Sequence, residues 1–153
     1  MTRLWLFLHF LGFTWWLGGG MAAMVAGIVA RREERASQGA IARAQAAIQK
    51  IVIAPGALLV VLSGLILTVR VMGATVTAIS PWLMTMQGAG IVGALITLLV
   101  GLPTASRLGR IDPEGQHAKY FEELRARLRI AASVAGVLGL LSLLAGVMLR
   151  TGG

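Results

Sequence analysis

Residues 5–30 read WLFLHFLGFTWWLGGGMAAMVAGIVA, 26 positions without a formal charge and with a single imidazole, His9. A helix rising about 1.5 Å per residue needs roughly 20 apolar residues to cross about 30 Å of hydrocarbon, and this run exceeds that. It also exceeds the apolar core of a cleavable signal, about 7 to 15 residues, so it reads as a retained transmembrane span. Three more apolar runs follow, Ile51 to Val69, Val71 to Ser106 and Ile130 to Leu149. The expected architecture is an all-α membrane protein, a four-transmembrane-helix bundle forming one domain over residues 1–153. The spans fall at about 4–30, 51–70, 82–102 and 130–149, joined by basic loops 31–50 and 103–129.

Composition agrees. Hydrophobic residues make up 57% of the chain and charged ones 13%, with a mean hydropathy of +0.81, too little polar surface to cover a soluble core. The formal charge of +8 is explained by where the cations lie. Eleven of the 14 basic residues, from Arg31 to Lys50 and from Arg107 to Arg129, sit in the two long loops, while Arg3, Arg70 and Arg150 lie on the other side. The positive-inside rule then puts both loops in the cytoplasm and both termini outside. Attraction to anionic headgroups accounts for the basic balance without nucleic acid as a partner. The absence of cysteine excludes disulfides and thiolate ligation.

Local signals refine the spans. Ser37-Gln38-Gly39 offers a break, after which Ala40 to Lys50 leads as helix into span two. Pro55-Gly56 is expected to kink or unwind that span, and Ser63-Gly64 to admit a close neighbour. The outer connection, residues 73–80, is short, and Pro81 suits the first turn of span three, which Leu102-Pro103 should end. Gly18, Gly19 and Gly20 in span one, and Gly88, Gly90 and Gly93 in span three, mark candidate close-packed faces. Asp112-Pro113-Glu114 is a helix start, and that helix should run through Arg129 into span four. A parallel repeat offset by 77 to 80 residues pairs Trp5-Leu6 with Trp82-Leu83, His9 with Met86, and Ser63 with Ser142.

An imidazole at membrane depth is the candidate for chemistry, because polar groups there face the bundle interior or a wet cavity. His9 lies about 8 Å below the outer end of span one, and Met72, Met84, Met86 and Met148 lie near the outer ends of the others. Imidazole with thioether suits Cu(I) or axial ligation of a b-type haem. Met84 and Met86 point to nearly opposite faces, so at most one reaches such a site. Trp16, seven residues after His9 on the same face, either floors a pocket under it or packs against glycines of a neighbouring span. His117 is some 30 Å away and forms a stripe with Tyr120, Phe121 and Leu124, expected to pack on the other loop. Thr14, Ser63, Thr85 and Gln87 are the polar groups that a permeation path would use, and the spans contain no acid.

His9-x6-Trp16-Leu17-Gly18-Gly19 resembles the first helix of bacterial four-span integral-membrane proteins related to copper-resistance protein D, and Pro55-Gly56 through Ser63-Gly64 is similar to their second. The His-x6-Trp pattern also resembles HemJ-type protoporphyrinogen oxidases, although Gln87 stands where those enzymes carry a functional lysine. The resemblance implies a bacterial inner-membrane protein with haem b or copper bound at His9 and Trp16 beside it. The residues leave two other readings open. One is a noncatalytic membrane subunit or scaffold, as a homo-oligomer or within a larger complex, and the other a small-solute or ion permease.

Overall fold

The structure, a computed structural model, describes residues 2–72 and 80–151; the side chains of Val71, Met72 and Arg150 fall outside that description, as do residues 73–79 between the second and third apolar runs. Among the described residues, four helices are long and apolar enough to cross a membrane: α1 (Thr2–Ala30), α2 (Arg35–Arg70), α3 (Pro81–Leu108) and α4 (Gly115–Leu149). No strand occurs among the described residues. Each helix is apolar around most of its circumference and leaves large side chains uncovered, such as Met21, Leu65, Leu99 and Val137, each at least 60% exposed. Such a surface suits a hydrocarbon solvent and not water.

The helices pack as two antiparallel hairpins, α1 on α2 and α3 on α4, and the hairpins then join. Positions 9, 12, 16 and 19 of α1 recur at steps of three and four, which draws one stripe along a helix. Glycine on both sides of the seam brings the backbones together. A Cβ on Gly12 would lie 2.8 Å from the Val60 nitrogen, and one on Gly56 would lie 2.7 Å from the Trp16 nitrogen and 2.9 Å from the Gly12 oxygen. In the second hairpin Gly90 faces Ser142, Gly93 faces the Ala135 carbonyl, and Gly146 faces the Met86 sulfur. The two hairpins share a pattern: Ser63 meets His9, and Ser142 donates to the carbonyl of Met86 at 2.7 Å. His9 and Met86 stand 77 positions apart and Ser63 and Ser142 79, both within the 77 to 80 residue offset but not in a single register.

The glycine expectations hold at some positions only. Gly19, Gly90 and Gly93 are buried in close contact, whereas a Cβ added at Gly18, Gly20 or Gly88 would meet nothing within 4 Å. The reason is helical phase: neighbours in sequence are about 100° apart, so consecutive glycines cannot all face one partner. Gly18→Ala and Gly20→Ala are accordingly expected to change stability by no more than about 0.5 kcal/mol. A detergent melting curve checks this, with Gly19→Ala, whose Cβ would meet Ile53 at 2.9 Å, as the sensitive comparison.

Among the described residues, three π-helical segments interrupt the rods, Thr14–Gly18, Gln49–Ile53 and Thr97–Gly101. The second and third each end two residues before a proline, Pro55 or Pro103. Proline lacks the N–H for the bond to residue i−4 and its ring crowds that carbonyl; a wider turn just before it relieves both. Pro103 therefore does not end span three as expected, since the helix continues to Leu108. The first and third segments begin at threonines whose hydroxyls donate to a carbonyl four residues back, Thr14 to Phe10 and Thr97 to Gly93, each at 2.9 Å. This back-bonding favours a local bend.

The long connections are mostly helix. α2 starts at Arg35, so Ser37-Gln38-Gly39 is helical and not a break, and residues 31–34 make the turn instead. Gly39 lies against Pro113, which explains its place inside a helix. The last helix begins later than Asp112-Pro113-Glu114 suggests: Glu114 is extended and Gly115 has φ +71°, a conformation glycine adopts freely. From Ala118 the helix runs unbroken to Thr151. Ala42, Leu108, Phe121 and Leu124 form a small core at this end. Of the expected stripe, Phe121 and Leu124 are buried, but His117 and Tyr120 are not, because Ala42 and Leu108 cover a face only two residues wide. Arg125 ties the end together through the Gln38 side-chain oxygen at 3.1 Å and the Gly27 carbonyl at 3.4 Å.

Candidate functional site

His9 lies on the α1 face that meets α2. Its Nδ1 is 3.0 Å from the Val60 carbonyl oxygen and 3.1 Å from Ser63 Oγ. A carbonyl can only accept, so Nδ1 carries the proton and donates; Ser63 spends its own proton on the Leu59 carbonyl. In the neutral ring the lone pair is therefore on Nε2. That nitrogen has no hydrogen-bond partner among the described residues and is not sealed from the surface. The ring stands edge-on to Phe13, centroids 5.2 Å apart, and lies over Gly64, where a Cβ would approach Cε1 to 3.0 Å.

Trp16 takes the second of its two expected roles. It is 3% exposed and its indole is inserted between the hairpins, with its six-membered ring against Gly93 and Gly139. The indole N–H donates to Thr97 Oγ1 at 3.0 Å, which donates in turn to the Gly93 carbonyl. Gln49 completes the cluster from α2: its amide nitrogen donates at 3.4 Å to the Thr97 carbonyl, over Gly101. All three π segments thus contribute to one buried knot, Trp16 from the first, Gln49 from the second and Thr97 from the third. Widened turns carry these residues inward without breaking the helices.

Neither Met84 nor Met86 turns toward His9. Met84 is 61% exposed on the bundle's exterior. Met86 is half-buried with its sulfur at Gly146, so it faces α4 while His9 faces α2. Met148 is half-buried near the end of α4, and the side chain of Met72 lies outside the described residues. No group of three or more His, Cys, Asp or Glu side chains able to hold a metal ion occurs among the described residues. Of the polar groups that a passage would need, Thr14 and Thr85 bond back onto their own helices, Ser63 serves His9, and Gln87 donates to Thr68 at 2.7 Å.

Gln49, Thr97 and Phe13 are the site residues that sequence reasoning missed. The spacing Gly93-x3-Thr97-x3-Gly101, a stripe of small residues that leaves room for an indole, is the signal that was available. Comparison of the chain with protein-family models, curated proteins and solved structures gives no match.

Proposed function

We propose that the protein is a noncatalytic subunit or scaffold of a bacterial inner membrane, with four spans and both termini outside. The observation that carries this reading is the closed interior. Trp16, Thr97 and Gln49 satisfy one another, glycines bring the backbones into contact, and no buried side-chain nitrogen or oxygen among the described residues lacks a partner. What the bundle offers to other molecules is its exterior.

Helix register supports the insertion. The α1–α2 contacts, continued outward, bring Arg3 level with Arg70, and inward bring Ala22 level with Lys50. The α3–α4 contacts likewise pair Trp82 with Arg150 and Leu102 with Arg129. Each interval is about 20 residues or roughly 30 Å, one hydrocarbon thickness. The basic residues gather at the Lys50 and Arg129 end, the side kept in the cytoplasm by the positive-inside rule.

A subunit of this kind should leave the membrane in mild detergent as an assembly larger than one 16.1 kDa chain. Size-exclusion chromatography with light scattering measures this; a monodisperse single chain would contradict the reading.

One observation favours a second reading, a haem b or copper site. A ligating histidine usually donates its other ring N–H to a carbonyl or carboxylate, and His9 does this toward Val60. The rest of the donor set fits poorly: Met86 is turned to α4 and Met84 to the exterior, and Phe13 and Gly64 occupy the space around the ring. If this reading holds, His9 supplies Nε2 as one ligand, and Val60 and Ser63 hold the ring in place.

A further inference from the structure

Between α3 and α4, short of the core that Leu108 makes with Phe121 and Leu124, lies a shallow open groove of about 530 Å³. Its walls are apolar, with Ile96 and Val100 on α3 and Ile130 and Val134 on α4, and its end carries two charged side chains, Arg127 and Glu123. The α4 residues 123, 127, 130 and 134 recur at steps of four and three, so they draw one stripe along the helix. With Arg129 level with Leu102, it marks the inner edge of the hydrocarbon. The apolar part then lies at the depth of inner-leaflet acyl chains. Arg127 sits at phosphate depth, and Glu123 about 6 Å further into the cytoplasm.

From this we infer that the groove holds one phospholipid with a primary ammonium headgroup, of the phosphatidylethanolamine type. The order of chemistry along the stripe, apolar, cationic, anionic, repeats the order of acyl chain, phosphate and ammonium in that lipid. An anionic headgroup gains from Arg127 but meets Glu123 as a like charge. A choline headgroup is attracted by Glu123 but has no N–H to donate, whereas a primary ammonium makes a charge-assisted hydrogen bond. The groove is open along one side, which suits a ligand that arrives from the bilayer. The inference rests on the four-span insertion proposed above.

Native mass spectrometry of the full chain in detergent tests it, with phosphatidylethanolamine, phosphatidylcholine and phosphatidylglycerol of matched chains as probes. The wild type is expected to retain the ethanolamine lipid about threefold over the choline lipid, within the span of an exposed ion pair. Glu123→Gln should abolish that preference, and Arg127→Gln should lower retention of both about fivefold. Arg129→Gln, two positions from Arg127 and off the stripe, should change neither. Equal retention in the wild type, preference for the glycerol lipid, or loss in Arg129→Gln as large as in Arg127→Gln would overturn the assignment. Alkaline extraction of membranes separates insertion from lipid binding. Release of the protein would overturn insertion itself, while retention without lipid preference would overturn the groove alone.

Discussion

Gly56→Ala is expected to destabilise the protein by about 3 kcal/mol, at the upper end of the cost of overpacking. The atoms that a new methyl group would strike are backbone: the Trp16 nitrogen at 2.7 Å and the Gly12 oxygen at 2.9 Å. A flexible side chain could swing aside, but here the whole of α1 must move away from α2. That movement withdraws His9 from Val60 and Phe13 from its neighbours in the core. Gly12→Ala should behave alike, since its Cβ meets Val60 and the Gly56 oxygen at 2.8 and 2.9 Å. Thermal melting in detergent, followed by circular dichroism, measures both against Gly88→Ala and Gly136→Ala. These place their methyl groups in open space and should melt within a few degrees of wild type.

Trp16→Ala should cost a similar amount, about 3 to 4 kcal/mol. For the four-span insertion proposed above, the exterior is as apolar as the interior, so the loss comes from contacts and hydrogen bonding and not from transfer out of water. The indole fills the gap between the hairpins at Gly93 and Gly139 and links them through a buried hydrogen bond. Two milder variants divide the effect. Trp16→Phe keeps much of the volume and removes the donor, while Thr97→Val keeps the shape and leaves a buried indole N–H without its acceptor. The hydrogen bond is worth about 1 kcal/mol on this account. Near-wild-type melting of Trp16→Ala would mean that the hairpins do not depend on this contact.

These two variants act on features that differ in how plainly the sequence displays them. The four long helices follow from the length of the apolar runs and the placement of 11 cations in two loops. The continuous helix through Arg129 into the fourth apolar run follows from good helix formers without a break after Ala118. Pairwise detail is harder, because an apolar helix in lipid has no polar face to fix its phase. Gly18, Gly19 and Gly20 look equivalent in sequence, yet only Gly19 meets a partner. Pro103 resembles a stop under the rules of soluble helices. A π segment precedes it, the Gln49 amide of α2 donates to the Thr97 carbonyl within that segment, and the helix continues.

The candidate site was legible in part. His9 and Trp16 stand out as the one imidazole in the spans and the tryptophan below it, and both are half-buried or buried on the inward face. Their partners were not legible. Val60 offers a carbonyl that any residue would offer, and Phe13 sits among apolar residues that all look alike. Gln49 and Thr97 are single polar residues whose roles depend on widened turns, which leave no periodic trace. Met84 and Met86 share a depth by residue count, yet one lies on the exterior and the other faces α4; depth is all that counting residues along a helix provides.

The closed interior is the central claim, and it is tested most directly by an absorption spectrum with metal analysis. The protein would be purified in mild detergent from cells supplied with haem precursor and copper, beside His9→Ala. The account predicts no Soret band, copper well below one per chain, and indistinguishable wild type and variant. A Soret band or one copper per chain, lost in His9→Ala, would contradict it and make the free Nε2 of His9 a ligand.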